Sequence, residues 1–200
     1  MLAAECARLK PRLKAERSST AEHRLGCYVP VRTCNALAGQ HAAFRDALGA
    51  VTDPGTRLCA ARQANAFVTQ LFASAAVSWR LSCITGQRLY LSDFPLEYRS
   101  YPVGSHMAWH RDECLFAVPQ VELVLTVSNC SDSATEWQDG SGAVHRQWME
   151  PNSLLLVRAG GALHRVLPIK RGDRSIVKVV FTTTSDRLPS FEENLHNTYT

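Results

Sequence analysis

Two histidines and one aspartate in the second half of the chain have the types and spacing of a metal-binding group. His110 and Asp112 are separated by one residue, so on a β-strand their side chains point to the same face and can reach one ion. His164, which follows Gly160-Gly161, adds a second imidazole from a distant segment. Two imidazoles and one carboxylate leave the other metal positions open, as in non-haem Fe(II) sites that activate dioxygen. The pattern therefore predicts an iron centre held by these three residues.

An arginine ten residues after the second histidine predicts a co-substrate site. A co-substrate with two carboxylates can chelate iron through a 2-oxo acid end, and its far carboxylate then needs a fixed cation. The planar guanidinium of Arg174 can bind that carboxylate with two parallel hydrogen bonds. Tyr101 can donate a phenol hydrogen bond to the same group.

The elements that must position these residues change in type near residue 80. Before it, alanine-rich stretches at 42–48 and 57–75 carry apolar residues at helical spacing. After it, eight short runs rich in Val, Leu, Ile and Thr alternate with turn residues, which predicts a sandwich or barrel. The predicted strands are 88–91, 97–103, 107–112, 121–128, 143–149, 153–157, 163–168 and 175–184. Helices followed by strands indicate an α+β domain with the helices on one face of a sheet.

Composition and charge narrow the class of protein. The 200 residues suit one domain, the net charge is only +4, and basic residues form no long run, so nothing calls for a nucleic acid partner. No apolar run is long enough to span a bilayer, and the chain start has no apolar segment typical of a secretory signal. The seven cysteines form no C-x-x-C pair and are odd in number. We therefore expect an intracellular, reducing compartment, the cytoplasm before an organelle, and no membrane partner.

Between about residues 98 and 182 the sequence resembles the prolyl 4-hydroxylase-like 2-oxoglutarate/Fe(II) dioxygenases. The resemblance is carried, in order, by Tyr101-x-x-Gly104, His110-x-Asp112, the turn at 139–142, the strand at 151–157, the run at 164–168 and Gly172-Asp173-Arg174. It implies a double-stranded β-helix, or jelly roll, over residues 81–185. Residues 1–80 would be a mainly helical support within the same domain, and 186–200 a polar C-terminal tail.

The same resemblance implies the cofactors and their binding residues. His110, Asp112 and His164 would hold Fe(II). Arg174 would bind the C5 carboxylate of 2-oxoglutarate with help from Tyr101. Dioxygen would be the second co-substrate and ascorbate a reductant.

Several positions depart from that family, so the substrate pocket need not be that of a prolyl hydroxylase. The strand that begins at Arg174 carries Ile176, Lys178 and Val180 where the family often has Ser or Thr, Thr, and Trp. Val180 also stands where nucleic-acid demethylases carry a second arginine, which weighs against that branch. Lys178 shares a strand face with Arg174, so it can pair with Glu122 or receive a carboxylate or phosphate of the substrate. A lysine that simply emerges from the sheet at the strand end fits the pattern at least as well.

Two further side chains, Trp109 and His106, are candidates for substrate contact because they lie near the predicted mouth of the site. Trp109 faces away from His110 on its strand, which favours a packing role. His106 has the same strand parity as His110 and could line the cavity, although the pattern favours a loop position for it.

Three functions remain open from the sequence. The leading one is hydroxylation of an aliphatic C–H bond in a peptidyl, prolyl-like residue. The second is hydroxylation, desaturation or cyclisation of a free amino acid or other small carboxylate, which Lys178 favours. The third, a non-enzymatic jelly-roll binding module, is disfavoured by the triad combined with Arg174.

Overall fold

A computed structural model of the chain describes residues 2–16, 18, 20–29 and 67–199. Within them the helices are α1 (Leu2–Leu9), α2 (Phe67–Phe72), α3 (Ala75–Thr85) and α4 (Pro189–Tyr199), with a short 3₁₀ turn at Lys10–Arg12. The predicted helix at 42–48 and the first part of the one at 57–75 lie outside the described residues. The helices of the described part are all too short or too polar to cross a bilayer.

Twelve strands of the described residues form two antiparallel sheets. The larger sheet has the order β1-β3-β5-β12-β7-β10, with β4 pairing β12 at one end, and the smaller has the order β2-β6-β11-β8-β9. The strands are β1 (Lys14–Ala15), β2 (Ala21–Glu22), β3 (Leu25–Val29), β4 (Tyr90–Leu91), β5 (Leu96–Tyr101), β6 (His106–His110), β7 (Val121–Asn129), β8 (Thr135–Gln138), β9 (Val144–Gln147), β10 (Leu154–Arg158), β11 (His164–Val166) and β12 (Arg174–Thr182).

From β5 onward the chain passes back and forth between the two sheets. β5, β7, β10 and β12 belong to the larger sheet, and β6, β8, β9 and β11 to the smaller one. This is the connectivity of a double-stranded β-helix, and the predicted α+β jelly roll is confirmed. All eight predicted strands are present with small shifts at their ends.

The larger sheet buries one face against the N-terminal helices. Val177, Val179 and Phe181 of β12 are at most 1% exposed and belong to one apolar core with residues of all three N-terminal helices. Successive strand residues point to opposite faces, so Arg174, Ile176 and Lys178 face the interior between the sheets. The helices thus stabilise the sheet from outside and leave its inner face to the site.

The two ends of the chain differ from the sequence prediction. The N-terminal part contributes β1, β2 and β3 as well as helices, and β3 extends the larger sheet by pairing with β5. The stretch 186–200, expected to be a polar surface tail, contains helix α4. Its Phe191 is 2% exposed and packs edge-on against Phe94 and Phe116. Leu195 packs against the same cluster, and Ser190 and Asn194 of the helix donate hydrogen bonds to Cys114 and Glu113.

Candidate functional site

The smaller sheet brings the two histidines together. His110 is the last residue of β6 and His164 the first residue of β11, and the two are direct partners in the antiparallel pairing. Their ring centroids are 4.3 Å apart. Asp112 lies two residues beyond the end of β6, and its two carboxylate oxygens are 3.9 Å from His110 Nε2 and 3.6 Å from His164 Nε2. The three residues predicted from their spacing therefore converge on one point.

Both imidazoles are oriented for metal binding by hydrogen bonds on their other nitrogen. His110 Nδ1 lies 2.8 Å from the carbonyl oxygen of Ala108, and His164 Nδ1 lies 3.0 Å from that of Ala162. Because a carbonyl oxygen can only accept, Nδ1 donates its hydrogen in each ring, which leaves Nε2 as the atom directed toward the metal position beside Asp112. Burial lowers the pKa of His110, so this ring is neutral at pH 7.

The donor set fits a divalent metal. Two ligands on one ion lie no more than about 4.2 Å apart, twice a typical bond length to nitrogen or oxygen. The two measured histidine–aspartate distances fall within that limit. Moreover, His110 Nε2 is buried without a hydrogen-bond partner, which is unfavourable unless something else binds it. Two neutral imidazoles and one carboxylate are the donors that non-haem Fe(II) takes.

Asp112 is ionised in this environment. Burial by itself raises the pKa of the carboxyl, but the positive charge of Lys178, followed by the two histidines, outweighs it and lowers the pKa below the ordinary value. A charged carboxylate is the form that binds a cation.

Arg174 opens β12 from the opposite sheet and points into the interior. The turn before it requires glycine at 172, because φ is +73° there and a Cβ atom would collide with the carbonyl of Cys130. The guanidinium is 4% exposed, and Nη1 donates to Thr135 Oγ1 at 3.3 Å. Its Nε–H is buried without a partner, and no carboxylate of the described residues forms an ion pair with it. Burial lowers the pKa of Arg174, a sign of a cation held away from water.

Tyr101 is the direct partner of Arg174 in the pairing of β5 with β12, and its ring centroid lies 6.0 Å from the guanidinium carbon. Its hydroxyl contacts the sulfur of Met107 at 3.8 Å. Tyr101, Ile169 and Ile176 form a small buried apolar cluster, against which Met107 and Val124 pack. The structure thus surrounds Arg174 with an apolar wall and one phenol group.

Lys178 is paired with Glu122, one of the three alternatives that the sequence left open. The Lys178 ammonium and the Glu122 carboxylate form a salt bridge, and their side chains are 15% and 4% exposed. Burial works to lower the pKa of Lys178, but Glu122 and Glu97 outweigh it and raise the pKa. Lys178 therefore carries its charge inside the barrel.

The other two candidates lie farther from the metal-binding group. Trp109 points to the opposite face of β6, where the guanidinium of Arg165 lies 4.6 Å from its ring centroid. His106 is at the far end of β6, partly exposed, and pairs in register with Glu22 of β2. Both remain predictions as substrate contacts.

Sequence reasoning missed an aromatic residue beside the histidines. Trp137 of β8 is the direct partner of His164 and also of His145 on β9, so His110, His164, Trp137 and His145 form a row across four strands. Trp137 faces the interior, since Thr135, two residues earlier, contacts Arg174 there. The rings of Trp137 and His145 are nearly parallel, with centroids 5.5 Å apart. Trp137 was missed because β8, the short polar strand that carries it, was not predicted from the sequence.

This row runs from the buried histidines out to the sheet edge. The side chains of His110 and His164 are each 12% exposed, whereas that of His145 is 48% exposed. The His145 ring is held by Asp139, whose Oδ2 is 2.7 Å from Nε2. That bond and those from Ser141 lower the pKa of Asp139.

Solved structures of known proteins share the double-stranded β-helix fold of this chain. No family model and no curated protein matches the sequence. A 2OG-Fe(II) oxygenase family oxidoreductase from Burkholderia pseudomallei matches with a TM-score of 0.62 at 12% identity, over 92% of this chain and 79% of that one. A prolyl-4-hydroxylase from Pseudomonas putida matches with a TM-score of 0.54 at 18% identity, over 92% and 85% of the two chains. The chain has the fold of the 2-oxoglutarate/Fe(II) oxygenases.

A third structure with this fold is a prolyl hydroxylase from Trichoplax adhaerens in complex with a peptide fragment of hypoxia inducible factor. It matches with a TM-score of 0.51 at 9% identity, over 96% of this chain and 79% of that chain. At these identities the likeness establishes the fold and leaves the activity to the residues of the site.

Proposed function

We propose that this protein is a 2-oxoglutarate- and Fe(II)-dependent dioxygenase that hydroxylates an aliphatic C–H bond. The observation that carries the proposal is Arg174, a buried guanidinium without a carboxylate partner among the described residues, inside the same barrel as the His110–Asp112–His164 group. A buried unpaired cation is strongly unfavourable. A dicarboxylate co-substrate that reached from the metal to Arg174 would remove that penalty.

Iron bound at this group, together with 2-oxoglutarate, would activate dioxygen to oxidise a C–H bond, releasing succinate and carbon dioxide. His110, Asp112 and His164 are the residues that would hold the metal. The carbonyls of Ala108 and Ala162 keep both Nε2 lone pairs directed at it. Two neutral imidazoles and one carboxylate leave a ferrous ion with a net positive charge, which favours an anionic chelating ligand.

The opposite sheet would bind the far end of the co-substrate. Arg174 contacts Thr135, which is two residues, or about 7 Å along the strand, from the direct neighbour of His164. This spacing suits a short dicarboxylate that lies between the two sheets. The apolar cluster of Tyr101, Ile169 and Ile176 excludes water around the guanidinium, which strengthens its interaction with a carboxylate.

A peptidyl, prolyl-like residue is the substrate that we favour. The row from His164 through Trp137 to His145 leads from the metal-binding group to β9, an edge strand whose four residues are all exposed. Such a row offers contact to a substrate longer than the cavity, and aromatic faces pack well against apolar rings. The peptide complex of the Trichoplax neighbour supports the same assignment.

A small carboxylate such as a free amino acid is the second candidate, and the charge of Lys178 inside the barrel favours it. Binding would require such a substrate to compete with Glu122 for the ammonium group. A peptidyl substrate does not require Lys178 to leave its salt bridge with Glu122.

The test is coupled turnover. Purified protein with Fe(II), ascorbate and 2-oxoglutarate would be supplied in parallel with proline-containing peptides and with free amino acids, and products searched by mass spectrometry for addition of one oxygen atom. We expect a hydroxylated peptide together with succinate, and neither from the Asp112→Ala variant. Hydroxylation of amino acids alone would replace the leading substrate with the second one. Absence of 2-oxoglutarate consumption, with or without substrate, would contradict the dioxygenase proposal.

A further inference from the structure

Gln120 is a buried amide that holds the segment next to a proposed metal ligand. It precedes β7 directly and is 1% exposed. Its Oε1 accepts from the backbone N–H of Leu115 at 2.9 Å, and its Nε2 donates to the carbonyl of Glu113 at 2.8 Å. Both groups belong to the segment that begins at Asp112. One side chain therefore fixes the backbone that positions this carboxylate.

The backbone of Gln120 also contacts the segment that leads to the second histidine. Its carbonyl accepts from the N–H of Ala159 at 3.0 Å. The next residue, Gly160, donates its N–H to the carbonyl of Asp112 at 2.8 Å. Gln120 thus lies between the Asp112 segment and the turn four residues before His164, with its side chain on one and its carbonyl on the other.

On its other side the amide reaches the buried ion pair. Gln120 Nε2 also donates to Glu122 Oε1 at 3.2 Å, and Glu122 forms the salt bridge with Lys178 of β12. Gln120 therefore links the Glu122–Lys178 pair to the Asp112 segment by hydrogen bonds. Lys178 itself belongs to β12, the strand that begins at Arg174. A buried ion pair seldom stabilises a fold more than apolar residues of the same shape would, so its presence here calls for another role.

We propose that Gln120, Glu122 and Lys178 form a positioning relay that fixes the Asp112 carboxylate relative to the larger sheet. The inference rests on the proposed metal site and deepens it. The relay acts through Asp112 and includes none of the residues proposed to hold the metal or 2-oxoglutarate. Its geometry ties the metal-binding group on one sheet to the Arg174 strand on the other.

An amide is the side chain that this position requires. It supplies an acceptor for Leu115 and a donor for Glu113 and Glu122 from one end. Methionine has a similar length and neither function, so Gln120→Met leaves two backbone groups unpaired and separates the relay from the Asp112 segment. Loss of groups that orient a metal ligand typically weakens metal affinity about 10- to 100-fold.

The test titrates the metal-free protein with Co(II) to measure its affinity for this metal. The thermal midpoint of unfolding is measured in a separate experiment. Gln120→Met should bind Co(II) about 10- to 100-fold more weakly than the wild type. The matched control is Val177→Ala, a truncation of a fully buried side chain on the helix-facing side of β12. It should lower the thermal midpoint while leaving the Co(II) affinity within about twofold of wild type, since it leaves the relay intact.

A second variant keeps the test independent of how well Gln120→Met folds. The double substitution Glu122→Gln/Lys178→Met removes the ion pair without leaving an unpaired charge, and such replacements are usually tolerated. It should weaken Co(II) binding about 10-fold, because it removes the side-chain link from Gln120 to Lys178 and leaves only the backbone pairing of β7 with β12. Adding Gln120→Met to it should weaken binding little further, since residues that act through one path are not additive.

The outcomes separate this proposal from the metal site on which it rests. If wild-type protein bound Co(II) no better than His110→Ala, the metal site itself would be refuted. If His110→Ala abolished binding while either relay variant stayed within twofold of wild type, only the relay would be refuted. Fully additive losses in the combined variant would also overturn it.

Discussion

Replacing Arg174 with methionine should weaken 2-oxoglutarate binding and, at the same time, leave the protein as stable as before or more stable. The guanidinium is 4% exposed, its Nε–H has no partner, and its one side-chain hydrogen bond, to Thr135, is long at 3.3 Å. Removing it therefore removes an unfavourable buried charge at the loss of one weak interaction. Substitutions that replace buried charges with apolar groups are often neutral or stabilising.

The affinity loss follows from the same burial. Truncating one side of a buried, hydrogen-bonded charge pair lowers the binding free energy by about 2–4 kcal/mol, which corresponds to roughly 30- to 700-fold in Kd. Arg174→Lys keeps the charge but loses the two-pronged geometry, so its loss should be smaller. Calorimetric titration of 2-oxoglutarate into Mn(II)-loaded protein measures the affinity, and thermal unfolding of the metal-free protein measures the stability.

The control is Arg171→Met, three residues earlier in the chain. The Arg171 side chain is 87% exposed and 3.8 Å from Asp132, an exposed pair that contributes little to stability. This variant should bind 2-oxoglutarate as the wild type does. A clear fall in stability of Arg174→Met, with unchanged affinity for 2-oxoglutarate, would show that the arginine is structural and refute the reasoning.

Three further predictions follow from other parts of the structure. Trp137→Ala should raise the KM for a peptide substrate without changing 2-oxoglutarate consumption in the absence of peptide. Trp109→Ala, on the opposite face, should change neither, and equal effects of the two variants would contradict a role of the Trp137 row in substrate binding. Burial raises the pKa of the Cys6 thiol to about 11, so a thiol reagent at pH 8 should label the exposed Cys83 before Cys6. Equal labelling rates of these two cysteines, measured by mass spectrometry, would contradict this. Burial lowers the pKa of His110, so its imidazole binds a proton more readily in the unfolded metal-free chain than in the folded one. The free energy of unfolding should therefore fall as the pH drops below about 6.5, the ordinary histidine pKa. Denaturant unfolding should show a shallower fall for His110→Asn, and an identical pH dependence would argue against it.

The residues that converge on the site were predictable because their chemistry requires a particular spacing. Strand alternation predicted that His110 and Asp112 share one side, although Asp112 lies just beyond the end of β6. Glycines before His164 and Arg174 mark turns into the strands that carry them. Eight apolar runs at regular intervals predicted a sandwich or barrel, and the resemblance to the dioxygenase family implied the jelly roll. The roles of these residues in binding iron and 2-oxoglutarate remain predictions.

The features that the sequence did not predict depend on contacts between distant segments. β8 has only four residues, three of them polar, and exists because it pairs with β9 and β11. The short strands before residue 30 are likewise ordered by their pairing with β5 and β6. Gln120 carries no sequence signal, since its importance lies in three hydrogen bonds to groups up to seven residues away.

Anaerobic titration of Fe(II) and then 2-oxoglutarate, followed by visible absorption, tests the central claim most directly. A 2-oxo acid chelated to ferrous iron produces a charge-transfer band that neither component gives alone. The wild-type protein should develop this band with one equivalent of each, and His110→Ala and Asp112→Ala should not. A wild-type protein without the band, or variants that retain it, would contradict the assignment of His110, Asp112 and His164 as the iron ligands.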